Sequence, residues 1–189
     1  MIRTTEGREV RLRPVSRVLI QSVQGTVERE LRAAGLPLDP PTYTVTTDTG
    51  DIETYVHDEH SLTSDEERVA WAAYQAAQER RTTETNARVS KALLVAGVVV
   101  EAPPEDWAEE MRYLGVELPD EPRDLRYSYL ELEVLKTPAD IMNAIGGIMR
   151  LSMDGAPQEA LDAVDALFRR ALEGDATPPL APAAGGMEL

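Results

Sequence analysis

The fold is decided by residues 64–97, SDEERVAWAAYQAAQERRTTETNARVSKALLVAG, the longest stretch of this chain that one helix can span. The segment contains no Pro, and its only Gly is the last residue, Gly97, at a position where glycine commonly ends a helix. Ser64 and Glu67 have the spacing of a capping box, in which each side chain binds the other residue's backbone N–H. We therefore predict a long central helix that begins at Ser64.

Apolar residues occupy the two ends of this predicted helix but not its middle. Val69, Ala73 and Ala76 share one stripe near the start, and a second stripe resumes at Val89. Residues 78–86 between them are almost entirely polar. Because such a stretch has no apolar face to bury, we expect the middle of the helix to cross open water or to break.

The chain has 189 residues, which fits one domain, and a net charge of −15. This acidity disfavours general nucleic-acid binding, since phosphate contacts need Lys and Arg. The charge is uneven, because residues 1–36 carry seven Arg and four acids whereas residues 37–63 carry six acids and no Lys or Arg. The N-terminal arginines form either a patch for an anionic partner or the solvated ends of a strand and a helix: Arg3, Arg8, Arg11, Arg13 and Arg17.

The absence of Cys removes disulfides, thiolate nucleophiles and Cys-based zinc sites. Residues 1–13 are polar and lack the apolar core of a signal peptide. No segment approaches the roughly 18 apolar residues that a membrane span requires. These features predict a soluble protein that binds no membrane and remains in the cytoplasm.

The N-terminal part predicts a strand, a helix and a hairpin. Residues 9–13 alternate polar and apolar as a half-buried strand does, and Pro14 suits the first position of a helix. Residues 43–47 and 52–56 are β-branched runs around a Gly-containing loop, which is typical of a hairpin. Because a lone hairpin is only marginally stable, residues 10–12 could pair with it as a third strand, which leaves a hairpin or a three-stranded sheet as alternatives. The helix carries an apolar stripe: Val15, Leu19, Val23, Val27 and Leu31.

The C-terminal part predicts short packed helices. Thr137, Pro138 and Asp140 mark the clearest helix start, with Thr as N-cap and Pro at the first position. A last helix begins at Pro157, and residues 175–189 are expected to be a disordered tail. We therefore predict an α+β, mostly α, single domain over residues 1–174, with an N-terminal strand plus β-hairpin, one long central helix and a C-terminal bundle of short helices. The last helix has an apolar stripe: Leu161, Val164, Leu167, Phe168 and Leu172.

The sequence offers few candidates for chemistry. His57 and His60, beside Asp58 and Glu59, could ligate zinc or nickel, although the H-E-x-x-H signature is absent. The acids at the hairpin tip, Asp48, Asp51 and Glu53, do not have the spacing of a calcium-binding EF-hand. No nucleophile elbow or phosphate-binding loop occurs. We therefore predict a protein that is not an enzyme and needs no cofactor, with His57 and His60 as the candidates for a metal site.

Two features of the helix after Thr137 have a structural and a functional interpretation. Gly146 and Gly147 indicate either close approach of another backbone or a tolerated kink. Met142, Met149 and Met153 lie near one side, where flexible thioethers either fill a core or adapt to varied apolar helices. In the second interpretation these methionines form a partner-binding surface together with other residues of their own helix and of the last helix. The predicted members of this surface are Met142, Ile145, Met149, Met153, Leu161 and Phe168.

The order of these pieces resembles the tail assembly chaperones, and chaperone-like tail-region proteins, of long non-contractile-tailed bacteriophages and related prophages. The resemblance covers roughly residues 10–170. Its motifs are hydrophobic patterns rather than chemical signatures. They are VRLRPVSRVLIQSV, PPTYTVTTDTGDIETYVHDEH, WAAYQAA, YLGVELP, ADIMNAIGGIMRLS and APQEALDAVDALFRR.

The resemblance implies a helper in the host cytoplasm that keeps the helical tape-measure protein soluble and brings tail-tube subunits to it. The β-rich residues 43–56 depart from the all-helical members of this group. The alternative is a structural virion component of the tail or head–tail junction. A metal-dependent enzyme using His57 and His60, an acidic nucleic-acid mimic and a homo-oligomer remain open.

Overall fold

The structure, a computed structural model, describes residues 1–58 and 60–153. It confirms the α+β class, the early strand and hairpin, the long central helix and the short helices after it. The last helix predicted from Pro157 and the tail 175–189 lie outside the described residues. The strands are β1 Ile2–Arg3, β2 Glu9–Leu12, β3 Thr42–Thr46, β4 Ile52–Val56 and β5 Val98–Val99. The helices are α1 Arg17–Ala33, α2 Asp65–Gly97, α3 Trp107–Tyr113, α4 Pro122–Tyr129, a π-helical turn Leu130–Val134 and α5 Pro138–Ser152.

The start of α2 confirms the predicted capping box. The Ser64 hydroxyl accepts the Glu67 N–H at 3.1 Å, and the Glu67 carboxylate accepts the Ser64 N–H at 2.8 Å. The same carboxylate accepts the N–H and the hydroxyl of Thr63. These hydrogen bonds, with the backbone donors as the largest cause, lower the pKa of Glu67 to about 2. The helix entrance is therefore fixed by a charged acceptor across the whole physiological pH range.

The polar middle of α2 does not break the helix. Ala77 joins a small core with α1, and the Gln78 amide donates to the Leu38 carbonyl at 2.7 Å. Arg88 forms an ion pair with Glu30 of α1 at 2.6 Å. Of the two expectations for this stretch, the break was wrong, and the crossing of open water holds only in part, because Gln78 contacts the segment after α1 while several side chains of residues 78–86 are exposed. The first predicted stripe is not buried: Val69, Ala73 and Ala76 are all exposed, Val69 to 70%.

The first strand does not pair with the hairpin, so the alternative of a three-stranded sheet that includes the hairpin does not occur. β2 lies between β1 and β5 in an antiparallel three-stranded sheet, and β3 and β4 form a separate two-stranded sheet. The register joins Arg11 to Val99 and Leu12 to Val98. The Arg13 N–H donates to the Gly97 carbonyl at 2.8 Å. Because the chain leaves α2 directly beside β2, the strand that pairs with β2 on this side is β5, Val98–Val99, and not a strand of the hairpin.

The hairpin itself is confirmed. Tyr43 lies opposite Tyr55, and their rings stack at 5.7 Å. The loop turns through Gly50, whose φ of 85° falls in the left-handed region that favours glycine. Every residue of β4 is exposed, and His57 at its end packs 4.6 Å from the Tyr43 ring. The hairpin therefore projects from the body and is fixed at its base.

Helix α1 begins later than predicted. Ser16 is the N-cap, with its hydroxyl accepting the Val18 N–H, so Pro14 precedes the helix instead of opening it. Val27 and Leu31 are buried as expected, whereas Leu19 of the same stripe is 37% exposed. The predicted stripe is thus buried at Val15, which precedes α1, and at Val27 and Leu31, and it is open at Leu19.

The main core lies where the end of α2 meets α5. Ile148 is fully buried, and a Cβ on Gly97 would lie 2.6–2.8 Å from three of its atoms. Gly97 is the last residue of α2, and Val98 is the C-cap, so this glycine serves packing and not the helix-ending role that was predicted. Gly147 approaches the Leu12 side chain, where a Cβ would lie at 2.5 Å, and not another backbone. Around this contact the core includes Val10, Val15, Leu93, Leu94, Val98, Leu130, Val134, Leu135, Ala144 and Ile145.

We expect Gly97→Ala to lower the free energy of unfolding by about 1–3 kcal/mol, because the new methyl group overlaps the branched Ile148 side chain. The matched control is Gly146→Ala, whose Cβ meets nothing within 4 Å. This control should gain up to about 1 kcal/mol from helix propensity. Urea unfolding followed by circular dichroism measures both, and equal effects of the two changes would contradict the close packing at Gly97.

Candidate partner-binding groove

The structure separates the six residues predicted to bind a partner. Ile145 is 4% exposed and belongs to the main core, so its prediction as a contact residue is corrected: α5 turns this side chain toward α2. Met142, Met149 and Met153 are half-buried. Leu161 and Phe168 lie outside the described residues.

Met149 and Met153 line a groove between the first turns of α1 and the last turn of α5. Its volume is about 290 Å³, and it opens to solvent. The walls combine thioethers and one branched apolar chain with a basic and two polar residues: Arg17, Ile20, Gln21, Met149, Ser152 and Met153. Met142 is not part of this lining. Of the three methionines predicted to share one surface, Met149 and Met153 therefore face the groove and Met142 does not.

One side chain fixes the two walls of the groove to each other. The Ser152 hydroxyl accepts the Val15 N–H at 2.8 Å and donates to the Ile148 carbonyl at 2.7 Å. Val15 is buried in the main core directly before α1. The spacing between the start of α1 and the end of α5 is therefore set by a hydrogen-bonded, packed joint.

Asp140 fixes the other end of α5. Its carboxylate is 1% exposed and accepts the Thr5 N–H at 2.8 Å, the Thr5 hydroxyl at 2.9 Å and the Thr137 hydroxyl at 2.9 Å. Thr137 is the N-cap, as predicted, and accepts the Asp140 N–H. Burial raises the pKa of Asp140, but the hydrogen bonds from Thr5 and Thr137 outweigh it, so the pKa lies below its usual value. The sequence revealed the cap but not the contact with Thr5.

The apolar surface continues from the groove along the start of α1. Val18 is 71% exposed and Leu19 is 37% exposed, beside the groove residues Arg17 and Ile20. Arg17 forms no ion pair with any residue of the described part of the chain. The arrangement offers an apolar slot with one cation at its rim, and the size and lining of the slot suit an apolar side chain.

The histidine cluster has a structural explanation at His57. This ring is 5% exposed, its centroid lies 4.6 Å from that of the tilted Tyr43 ring, and its Nδ1 lies 3.2 Å from the Ser61 hydroxyl oxygen. Its Nε2 lies 3.9 Å from the Glu67 carboxylate, so His57 joins the hairpin base to the start of α2. His60 is exposed, and its N–H donates to the Asp58 carboxylate. Within residues 1–58 and 60–153, no three His, Asp or Glu side chains are placed to hold a metal ion.

Several N-terminal arginines bind backbone carbonyls at the edges of the small sheet. Arg3 donates to the Gly7 carbonyl, Arg8 to the Glu133 carbonyl and Arg13 to the Ala96 carbonyl at 2.5 Å. These contacts favour the interpretation of the cluster as strand and helix ends. Among the described helices, none is both long and apolar enough to cross a membrane.

Sequence reasoning identified Met149 and Met153 but missed the opposite wall of the groove. Ile20 lies one position beyond the stripe residue Leu19, and Gln21 and Ser152 carry no apolar signal. Their proximity to α5 depends on contacts between segments that lie far apart in the sequence. Comparison of the chain with protein-family models, curated proteins and solved structures gave no match.

We expect Asp140→Asn to lower the free energy of unfolding at pH 7 by about 1–3 kcal/mol, because the amide cannot accept all three hydrogen bonds. The pKa of Asp140 is lower in the native state than the unfolded-state pKa of about 3.9, so its charged carboxylate stabilises the fold above that pH. This contribution disappears as the pH falls through the native pKa of Asp140. The difference between wild type and variant should therefore shrink toward acid pH. Urea unfolding across this range measures it.

The control for this prediction is Asp120→Asn, since Asp120 is 99% exposed in its pair with Arg112. It should change stability by at most about 0.5 kcal/mol. If the difference in the free energy of unfolding between wild type and Asp140→Asn stays constant down to pH 2, the charged form of Asp140 does not stabilise the fold.

The two neighbouring faces of α5 should respond differently to truncation. Ile145→Ala should cost about 2–5 kcal/mol, because it leaves a cavity in the main core. Met153→Ala, at the rim of the groove, should cost at most about 1 kcal/mol. Thermal and urea unfolding of the two variants measure this contrast, and a larger loss at Met153 would mean that the groove residue is part of the core.

Proposed function

We propose that this chain is a phage tail assembly chaperone that binds the tape-measure protein and assists assembly of the tail tube in the host cytoplasm, without enzymatic chemistry. The observation that carries the proposal is the groove between α1 and α5, an apolar slot left open by the described fold. The resemblance in the order of the sequence patterns supplies the class of partner.

The chemistry of the groove suits an amphipathic helix. Recognition of this kind inserts apolar side chains, spaced three or four residues apart, into a slot. Thioether side chains at the slot, here Met149 and Met153, adapt to different apolar shapes. Val18 and Leu19 extend the apolar surface beyond the slot, which gives a bound helix a second contact along α1.

The charge of the chain fits a protein that handles an apolar partner. A net charge of −15 keeps a complex soluble, since like-charged complexes repel each other. The exposed apolar side chains of the hairpin, including Ile52 at 73% and Val56 at 59%, offer a separate surface for a second partner such as the tail-tube protein.

The test is co-expression of the full chain with a helical fragment of a tape-measure protein from a long-tailed phage. We expect the fragment to become soluble and to co-purify with the tagged chain. Met153→Glu should weaken the interaction at least about fivefold, because a carboxylate at the slot must lose its hydration. Pull-down followed by binding titration measures the effect.

The matched control is Leu114→Glu, which introduces the same charge at an apolar side chain that is 70% exposed and follows α3. It should leave binding unchanged. A fragment that stays insoluble with wild-type chain would defeat the chaperone proposal. Stoichiometric presence of the chain in purified particles would favour the virion component instead.

A further inference from the structure

The hairpin has two outer edges, and only one of them is protected against pairing with another strand. Pro40 and Pro41 precede β3 and lack the N–H that a neighbouring strand would need. The sequence of β4, IETYV, contains neither Pro nor Lys, and its register with β3 runs without a bulge. Every residue of β4 is exposed, and in the described part of the chain it pairs with β3 alone. Because proteins commonly block exposed strand edges with such devices, an edge without them is suited to pair with a further strand.

The hydrogen bonds of the hairpin show which backbone groups of β4 face outward. The His57 N–H donates to the Pro41 carbonyl at 2.9 Å, and the Thr47 N–H donates to the Asp51 carbonyl at 2.8 Å. In an antiparallel pair such bonds occur at every second residue, so the residues of β4 that bond to β3 are those in phase with Asp51 and His57. The alternate residues direct their N–H and C=O groups away from β3: Ile52, Thr54 and Val56.

These outward groups are arranged symmetrically about Thr54. A second copy of the same edge, antiparallel and centred there, places Thr54 opposite its own equivalent and Ile52 opposite Val56 of the second copy. Each outward residue then meets another outward residue, so every pair exchanges two backbone hydrogen bonds. The side chains also match, because Thr–Thr pairs and pairs of β-branched residues stabilise neighbouring strands. The edge of β4 is therefore complementary to itself.

The charges of the hairpin favour this antiparallel arrangement over an in-register parallel one. Glu53 is the only charged residue of β4, and its carboxylate already accepts a hydrogen bond from the Tyr55 hydroxyl of the same chain. In the antiparallel pair Glu53 lies opposite Tyr55 of the second copy, whereas the parallel pair would place it opposite another Glu53. The acids of the tip, Asp48 and Asp51, then lie at opposite ends of the paired sheet. Since like charges directly opposite each other destabilise a sheet, the antiparallel register is the favoured one.

We propose that two copies of this chain pair through β4 around a two-fold axis at Thr54, which joins two hairpins into one antiparallel sheet with the strand order β3–β4–β4–β3. The contact of one edge with itself uses up both unprotected edges, so the assembly closes at two copies. The outer edges of the new sheet are those of β3, which follow Pro40 and Pro41.

The pairing strengthens the part of the fold that has least support. A two-stranded sheet is only marginally stable alone, and a four-stranded sheet removes this weakness. The hairpin projects from the body and is held at its base by His57, so a second copy can approach its edge. The proposal goes beyond the chaperone role and does not rest on it, because edge pairing uses no residue of the groove and leaves the faces of the hairpin open.

A cysteine at the proposed axis tests the register directly, because the chain has no Cys of its own. In a hydrogen-bonded antiparallel pair the two Cα atoms at position 54 lie about 5.5 Å apart, within the disulfide range of about 4.4–6.8 Å. Thr54→Cys should therefore form a covalent dimer under mild oxidation, which denaturing gel electrophoresis without reductant detects.

The matched control is Thr44→Cys, at the exposed residue opposite Thr54 in the hairpin. In the proposed dimer the two copies of this position are separated by three strand spacings, or about 14 Å. This distance is too long for a disulfide, so Thr44→Cys should cross-link at least about tenfold more slowly than Thr54→Cys.

Light scattering measures the dimer itself. We expect the molar mass to rise from 20.8 kDa toward twice that value as the protein is concentrated. Thr54→Lys places two ammonium groups opposite each other at the axis and should raise the dissociation constant of the dimer at least about fivefold. Thr44→Lys makes the same change on β3 and should leave this constant unchanged. Circular dichroism checks that both variants remain folded.

Three kinds of result would overturn the proposal. A wild-type mass that stays at one copy from micromolar to millimolar concentration would show that the edge does not pair. Equal cross-linking at positions 44 and 54, or equal effects of the two Lys substitutions, would show that the copies meet through another surface. A mass that grows beyond two copies would show that the pairing does not close around a two-fold axis.

Discussion

The close approach of Ile148 to Gly97 is the contact on which the rest of this structure depends. Because Gly97 has no side chain, α5 can lie directly against the end of α2, and the chain leaves α2 at the position where β5 pairs with β2. The same crossing brings the end of α5 to the start of α1, where Ser152 binds the Val15 N–H. A single missing methyl group therefore determines the packing of the core, the sheet partner of β2 and the position of the groove.

The sequence predicted features that are encoded locally. The capping box of Ser64 and Glu67, the cap at Thr137 and the hairpin around Gly50 each depend on residues a few positions apart, and all three are present. The pairing of β2 was mispredicted because it depends on where α2 ends, about 85 residues later in the chain. Ile145 and Met149 share one apolar stripe in the sequence, and only the position of α2 decides which of them is buried.

The histidine cluster shows why residue types alone are a poor guide to chemistry here. A sequence with only two His residues, both in one acidic loop, invites a metal site. In the structure His57 has a structural role, because it contacts Tyr43 on β3, Ser61 in the loop after β4 and Glu67 on α2. The burial and the contacts of His57 therefore have a structural explanation that involves no metal ion.

The groove is continuous with the core, and this continuity determines what kind of partner it can hold. Ile148 and Met149 are adjacent in α5, so one lies fully inside while the next packs on the core and faces the slot. An apolar side chain that enters the slot extends the core by one layer and gains the burial energy of a core residue, about 1.5–3 kcal/mol for a Leu or Ile. A polar or charged side chain would lose its hydration against the apolar part of the slot, where the Ser152 hydroxyl already donates to the Ile148 carbonyl and accepts the Val15 N–H. A partner helix of the kind proposed above would therefore place an apolar face in the slot, and the position of Arg17 at its rim favours a helix with acids beside that face.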